Sequence, residues 1–449
     1  MFNRERILLD RRNFGKFRIE KAFDLVIDTC AYTPSDLAIL SSMSLSQYLL
    51  ISTVGVYCFP INWVPPIIRI FTDVPPIRWG DRLQCRVNPW RRVGMKIDDV
   101  EIGAGFPPYI IAEMSGNHQG SLDKAMELLR KCVEAGANAF KLQTYTADSL
   151  TIDSIRSEYI VSDGPWIGRT LYDLYSQGHT PREWVAPLVQ LGRSLGISVF
   201  SSPFSPEDVN FLASLEVPAY KVASFEINYE QLFTRIAKTQ KPVIFSTGLA
   251  TLQEIDEAIR LLRNLKVQDF AILKCTTSYP AEPTDLNLET IRYLSEKYQV
   301  PVGFSDHTKG FVASVSAVAL GATIVEKHVK LDDDDTSVDS SFSLPVSQLQ
   351  SFVELCREAN KTIGHIQDGP TTSETGYLKY RRSIVAKRTI EQGQIISKDD
   401  LAIVRPNIGL APKFFEIILG SRARVRIELG QGIELEMIQS ESGQSKQLF

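Results

Sequence analysis

Residues 302–329 read VGFSDHTKGFVASVSAVALGATIVEKHV. The first six and last six are short runs in which β-branched and aromatic residues give way to polar ones. Between them, 310–320 spaces its apolar residues three and four apart, as one buried helix face does. The stretch is one strand–helix–strand unit, and the same unit recurs upstream. Its strand runs there are YIIAEMS (109–115), AFKLQT (139–144), SVFSSP (198–203), AYKVAS (219–224), PVIFST (242–247) and FAILKC (270–275), separated by helical segments such as 121–135 and 251–264. Eight such runs, each ending in polar residues, predict an α/β fold of the TIM (β/α)8 barrel type over 101–365, with its working residues at the C-terminal ends of the strands. A doubly wound open sheet gives the same alternation but concentrates polar strand ends at one switch point.

Working outward, 366–377 is a polar, Gly- and Pro-containing linker. The runs SIVAKRTI and ARVRIEL, with the turns EQGQ and LGQG, predict a small β-rich module over 378–440 ahead of a tail at 441–449. On the other side, FDLVIDTCAY and YLLISTVGVY within residues 1–100 read as two buried strands joined by a helix. They resemble the middle of the short-chain-dehydrogenase-like nucleotide-sugar epimerases. The glycine-rich phosphate loop of those enzymes is missing, and Tyr57 is followed by CFPI with no lysine four residues on, so an incomplete fragment without nucleotide binding is expected. The uncharged stretch 48–68 is broken by Pro60, Pro65 and Pro66 and is not expected to span a membrane.

Lys and Arg number 49 against 53 Asp and Glu, a net charge of −4, with 44% hydrophobic residues. That balance excludes a disordered chain and supplies no basic surplus for a nucleic-acid backbone. The six cysteines (Cys30, Cys58, Cys85, Cys132, Cys275, Cys356) form no CxxC pair, which argues against a disulfide framework or structural zinc. The start MFNRERILLDRRNFGKFR lacks a secretion signal, so a cytoplasmic location is expected.

His307 and His328 end consecutive predicted strands, close enough to share one divalent ion, Mn²⁺ with Mg²⁺ or Co²⁺ as substitutes; the plainer alternative is that each bonds a neighbour. Lys141 and Lys221 end strands otherwise bound for burial, where a lysine needs an anion. With Ser202, Ser224, Ser246 and Ser305 they suit a phosphate that also carries a carboxylate, whereas Ser201 and Thr247 read as turn or cap residues. Glu113, Glu226, Glu326 and Asp339 supply acid–base candidates or ion pairs, and the acidic run 332–335 reads as a solvated loop.

In order along the chain come IAEMSGNHQGSLDKAMELL, KLQTYTADSLT, FSSPF, YKVASFE, FSTG, KCTTSYPA, GFSDHT, EKHV and VDSSFSL. Together they resemble the sialic acid synthase family, which condenses phosphoenolpyruvate with an amino sugar, and most closely its bacterial pseudaminic acid branch. The resemblance covers roughly 105–440 and implies that the C-terminal module is an antifreeze-like (SAF) domain. It implies Glu113 as general acid/base with Tyr279 beside it, Lys141, Ser202, Lys221, Ser224, Ser246 and Ser305 around phosphoenolpyruvate, and His307 and His328 on the metal. Gln143, Glu226, Asp339 and Arg405 would meet the acylated sugar, a 2,4-diacetamido-2,4,6-trideoxy hexose, with Arg405 reaching the other subunit of a domain-swapped homodimer. The alternatives are an N-acetylneuraminic or legionaminic acid synthase, a barrel aldolase with a Schiff-base lysine, and a decayed fusion acting only as an interaction partner.

Overall fold

The computed structural model describes the backbone of 25–28 and 49–52 and residues 94–439 apart from 335. The chain divides into two compact units, Met1–Pro89 and Trp90–Phe449. In the first, β1 (Leu25–Asp28) and β2 (Leu49–Ser52) fall on the two apolar runs and pair in parallel. The helix expected between them, Cys30, Cys58, Cys85 and most of the uncharged stretch lie outside the described residues. Among the described residues no helix is long and apolar enough to cross a membrane.

The second unit opens with an antiparallel hairpin, β3 (Gly94–Ile97) and β4 (Val100–Gly103). Its apolar residues Met95, Ile97 and Ile102 are buried in the barrel core, and Asp98 accepts a 2.5 Å hydrogen bond from Ser198 at the start of a barrel strand. The hairpin therefore packs at the N-terminal end of the barrel, and the boundary expected at 101 falls inside it. The barrel strands are β5 (Tyr109–Glu113), β6 (Ala139–Thr144), β7 (Ser198–Pro203), β8 (Tyr220–Val222), β9 (Val243–Ser246), β10 (Phe270–Cys275), β11 (Val302–Asp306) and β12 (Ile324–Lys330). They pair in sequence order, all parallel, and β12 pairs with both β11 and β5, which closes the cylinder. The short β13 (Leu344–Pro345) adds to the end of β12 and leads into the helix Val346–Ile363.

Each strand is buried on both sides, because side chains alternate between the barrel interior and the helices outside. The helices present the faces their spacing required. Leu122–Glu134, capped by Ser121, buries Ala125, Leu128, Leu129 and Cys132, while Leu252–Asn264, started by a Thr251–Glu254 capping box, buries Ile255, Ala258, Ile259 and Leu262. Close packing inside leaves Gly303 no room for a side chain: a Cβ there would lie 2.4 Å from the Ile324 carbonyl oxygen and 2.7 Å from Leu273. Gly303→Ala is expected to destabilise the barrel by about 1–3 kcal/mol, read as a lowered unfolding midpoint.

A separate core of Ile384, Ile390, Ile396, Ile418, Ile427 and Ile433 holds the C-terminal module, whose ladders are β14 (Ser383–Ala386) with β15 (Leu401–Val404) and β16 (Arg422–Ala423) with β17 (Ile438–Gln439). Its halves repeat. AKRTIEQGQIISKDDL (386–401) aligns with ARVRIELGQGIELEMI (423–438), and Ile390 and Ile427 exchange both backbone hydrogen bonds at 2.9 Å. Of the run ARVRIEL (423–429) only Ala423 lies in a strand and Ile427 in an isolated bridge, since the run belongs to a pseudo-symmetric set of short bridges rather than to a hairpin.

Candidate functional site

Strand register brings residues of β5, β6, β11 and β12 to one point, where β7, β8 and β9 add Ser202, Lys221 and Ser246. Glu113 stands opposite Lys141 on one side and His328 on the other, and Ser305 stands opposite Glu326. Lys141 pairs directly with Glu113, donates to Ser202 at 3.2 Å and lies 3.7 Å from Glu326. Lys221 donates to Ser246 at 2.6 Å and lies 3.8 Å from the other oxygen of Glu326, which accepts from Ser305 at 2.8 Å. Both lysines and both carboxylates are at most 4% exposed. Burial lowers the pKa of Lys221 and pushes the Glu113 carboxyl up to about 7, against the pull of Lys141; Glu326 is held below its ordinary range because the two lysines outweigh its burial. Two cations meet two carboxylates here, and with Glu113 protonated, as its raised pKa allows, one positive charge is left over for an anion such as phosphoenolpyruvate.

Ser224 accepts from the backbone N–H of Gly248 at 3.1 Å, and a Cβ on Gly248 would lie 2.0 Å from the Thr277 hydroxyl, so the glycine in FSTG is required for this approach. The Thr277 hydroxyl is buried and has no hydrogen-bond partner. It sits among the phosphoenolpyruvate candidates, and Cys275 lines the same wall, its thiol brought down to about 7 by His307 and Lys221 despite burial. Neither was singled out from the sequence, although KCTTSYPA contained both. Ser201 and Thr247 are not caps: Ser201 bonds Thr144 across neighbouring strands at 2.7 Å, and Thr247 donates to the Leu273 carbonyl at 3.2 Å. Their side chains alternate away from those of Ser202 and Ser246.

The rings of His307 and His328 lie 5.3 Å apart. His307 Nδ1 lies 3.0 Å from the Thr276 carbonyl, which places a proton on that nitrogen, and the neighbouring Cys275 thiol raises the pKa of the ring against its burial. His328 Nδ1 is buried without a partner, and burial together with His307 drives its pKa well below the ordinary value, so the ring is neutral. The orphaned, neutral imidazole nitrogen of His328, with Nε2 of His307 once that ring loses its second proton, would suit a divalent ion. Among the described residues no cluster of three or more His, Cys, Asp or Glu is arranged to hold a metal. The two histidines alone would leave the other positions of such an ion to water or substrate.

Tyr279 stacks on His307 with centroids 4.3 Å apart, and Phe342 packs on Tyr279 and His328, each at 5.2 Å. Trp166, from the long loop after β6, closes this wall 5.5 Å from Tyr279 and donates to the Val338 carbonyl at 2.7 Å. Asp339 accepts from the Ser115 hydroxyl and, at 3.3 Å, from the Gly116 N–H; burial raises its pKa. The acidic run beside it is not uniformly solvated: Asp334 is 1% exposed and accepts from the backbone of Thr336 and Ser337. Gln143 stands opposite Ser202 at the end of β6. Arg405 follows β15 on the C-terminal module, exposed, and among the described residues no hydrogen bond links it to the barrel site.

Glu226, just past β8, has its pKa raised by burial from 4.5 to about 7 although Lys221 opposes the shift. A carboxyl with a raised folded-state pKa contributes stability that is complete below the unfolded value and lost as pH rises through the folded one. Glu226→Gln is therefore expected to raise the unfolding midpoint at pH 8 and to leave it nearly unchanged at pH 4. Thermal melts across that range check it.

A closed parallel barrel whose mouth gathers two paired lysines, a ring of hydroxyls and two histidines has its polar side chains where barrel enzymes place their active sites. Residues 128–368 match the NeuB family and residues 381–439 the SAF domain. The chain is 43% identical over 329 residues to the pseudaminic acid synthase of Campylobacter jejuni subsp. jejuni, spanning 73% of this chain and 95% of that protein. It is 39% identical over 319 residues to the pseudaminic acid synthase of Helicobacter pylori, spanning 71% and 94%. Among solved structures, the N-acetylneuraminic acid (sialic acid) synthetase of Leptospira borgpetersenii superposes with a TM-score of 0.58 at 30% identity, covering 65% of this chain and 96% of that one. The chain belongs to the NeuB family, with a SAF domain at its C-terminal end. These relatives give no support to the epimerase-like reading of residues 1–100.

Proposed function

We propose that the chain is a pseudaminic acid synthase, which joins phosphoenolpyruvate and water to a 2,4-diacetamido-2,4,6-trideoxy hexose and releases phosphate. The observation that carries the chemistry is the buried pair Lys141 and Lys221 among the hydroxyls of Ser202, Ser224, Ser246 and Ser305. The sugar follows from the 43% identical relative, almost all of whose length this chain spans.

The lysines and hydroxyls hold the phosphate and carboxylate so that the methylene carbon faces the aldehyde of the open-chain sugar. A divalent ion held by His307 and His328 would supply Lewis-acid polarisation of that aldehyde, and its charge offsets the anionic substrate. Glu113, with a pKa near neutrality, gives a proton to the oxygen of the former aldehyde as the new C–C bond forms. The electron pair of the enol double bond makes that bond and leaves a cationic carbon at C2. Water adds there and loses a proton, and the tetrahedral intermediate expels phosphate with both electrons of the C–O bond, its charge met by the two lysines. The aromatic wall of Trp166, Tyr279 and Phe342 excludes water from the other side of the sugar. Gln143, Glu226 and Asp339 hold the sugar, and Arg405 of the other subunit in a domain-swapped homodimer completes the site. A cytoplasmic location fits these substrates.

Phosphoenolpyruvate carrying oxygen-18 in its bridging position separates the routes. The expected result is label in the released phosphate; label in the ketone of the product would mean P–O cleavage and would overturn the reading.

A further inference from the structure

Each of the two histidines directly follows one half of a buried ion pair. Asp306 precedes His307 and Lys327 precedes His328, and the two stand opposite each other where β11 pairs with β12. Strand alternation turns Ser305 and Glu326 into the barrel, where they bond each other, and turns Asp306 and Lys327 outward to the helix Val312–Ala319. There the Lys327 ammonium lies 3.0 Å from the Asp306 carboxylate and donates to the Thr308 carbonyl. One side chain, from the residue before His328, therefore reaches both residues that flank His307. We propose that Lys327 is a positioning residue: by bracketing His307 it sets the separation at which the two imidazoles share a divalent ion. This rests on the reading of those histidines as the metal centre.

The network around the pair is closed. Asp306 accepts from the Thr308 N–H at 2.8 Å and the Thr308 hydroxyl at 2.7 Å, which folds the chain into a turn around His307, and from the Ser314 hydroxyl at 2.6 Å. Asp306, Thr308, Ser314 and Lys327 are all at most 3% exposed. A buried ion pair stabilises a fold little more than apolar side chains of the same volume, so stability alone does not call for these charges. Direction does. Metal-binding histidines are ordinarily oriented by a hydrogen bond from the second ring nitrogen. His307 has one, from Nδ1 to the Thr276 carbonyl, whereas Nδ1 of His328 has no partner. The place of the second ring thus depends on the packing of Phe342 and on its own backbone, and Lys327 is the adjoining residue that ties this backbone to the turn carrying His307.

Titration of the metal-free full chain with Co²⁺, followed by the visible absorption of the bound ion, tests this apart from turnover, with thermal melts run alongside. Lys327→Met is expected to raise the Co²⁺ dissociation constant about tenfold or more. That substitution leaves the Asp306 charge buried without its cation and can unfold the chain. Asp306→Asn combined with Lys327→Met is therefore measured beside it: the double variant buries neither charge, yet lacks the tie to Thr308, and it should melt near wild type and show the same loss. Wild-type Co²⁺ affinity in the double variant overturns the proposal, since a loss confined to Lys327→Met assigns the effect to the unpaired carboxylate. Co²⁺ uptake that survives both His307→Ala and His328→Ala would instead overturn the metal centre itself, and this inference with it.

Discussion

Lys221→Met is expected to lower kcat by about a thousandfold and to raise the KM for phosphoenolpyruvate. The methionine keeps most of the lysine's volume, so the barrel should still close. It removes the donor to Ser246 and one of the two cations that flank Glu326, which keeps Lys141 at 3.7 Å and the Ser305 hydroxyl. Phosphate leaving the tetrahedral intermediate then faces a single lysine. Steady-state kinetics on the variant, with circular dichroism to show that it folds, checks the expectation; turnover within tenfold of wild type would remove Lys221 from the site. The same residue also tests the Schiff-base aldolase reading. Burial lowers its pKa, which is what an amine nucleophile needs. Wild-type protein treated with pyruvate and borohydride is expected to stay unmodified, and a reduced adduct on Lys221 would transfer the chain to the aldolase reading.

Arg405→Ala alone and Glu113→Gln alone are each expected to lose nearly all activity, yet a mixture should regain part of it. Arg405 is exposed on a module with its own core and makes no hydrogen bond to the barrel site of its own chain among the described residues. A guanidinium delivered from a second copy would meet polar groups of the sugar and add positive charge to the site. In a heterodimer of the two variants one site has both an intact barrel and an intact arginine. Random subunit exchange makes half of the dimers mixed, so recovery should approach about a quarter of wild-type turnover. A fully active monomer, or no recovery in heterodimers shown to exist, would refute the shared site.

The barrel was legible because its signal is local. AFKLQT, SVFSSP and FAILKC are strands over the same residues, 139–144, 198–203 and 270–275, and the helix at 121–135 is shorter by one residue at each end and that at 251–264 by one at its start. Lys141, Lys221 and His328, read as strand ends, lie within β6, β8 and β12, and His307 follows β11 by one residue. What escaped depends on contacts distant in sequence. The hairpin 94–103 has ordinary alternation, and only its packing under β7 ties it to the barrel. Trp166 reaches Val338 across 172 residues, and no local pattern points to that. Ser201 and Ser202 look alike in the sequence, but strand alternation sends one to Thr144 and the other to Lys141. Glu326 was read as one carboxylate among four, and its place between both lysines depends on the closure of β12 onto β11 and β5.

The most direct test is to incubate the full chain with phosphoenolpyruvate, Mn²⁺ and a panel of acylated amino sugars, and to measure product mass and released phosphate together. The expected result is one equivalent of phosphate and a product heavier than the sugar by one pyruvic acid, formed fastest with the 2,4-diacetamido-2,4,6-trideoxy hexose that leads to pseudaminic acid. Faster turnover of N-acetylmannosamine or of the legionaminic precursor would contradict the assigned sugar, and phosphate release without a condensed product would contradict the synthase itself.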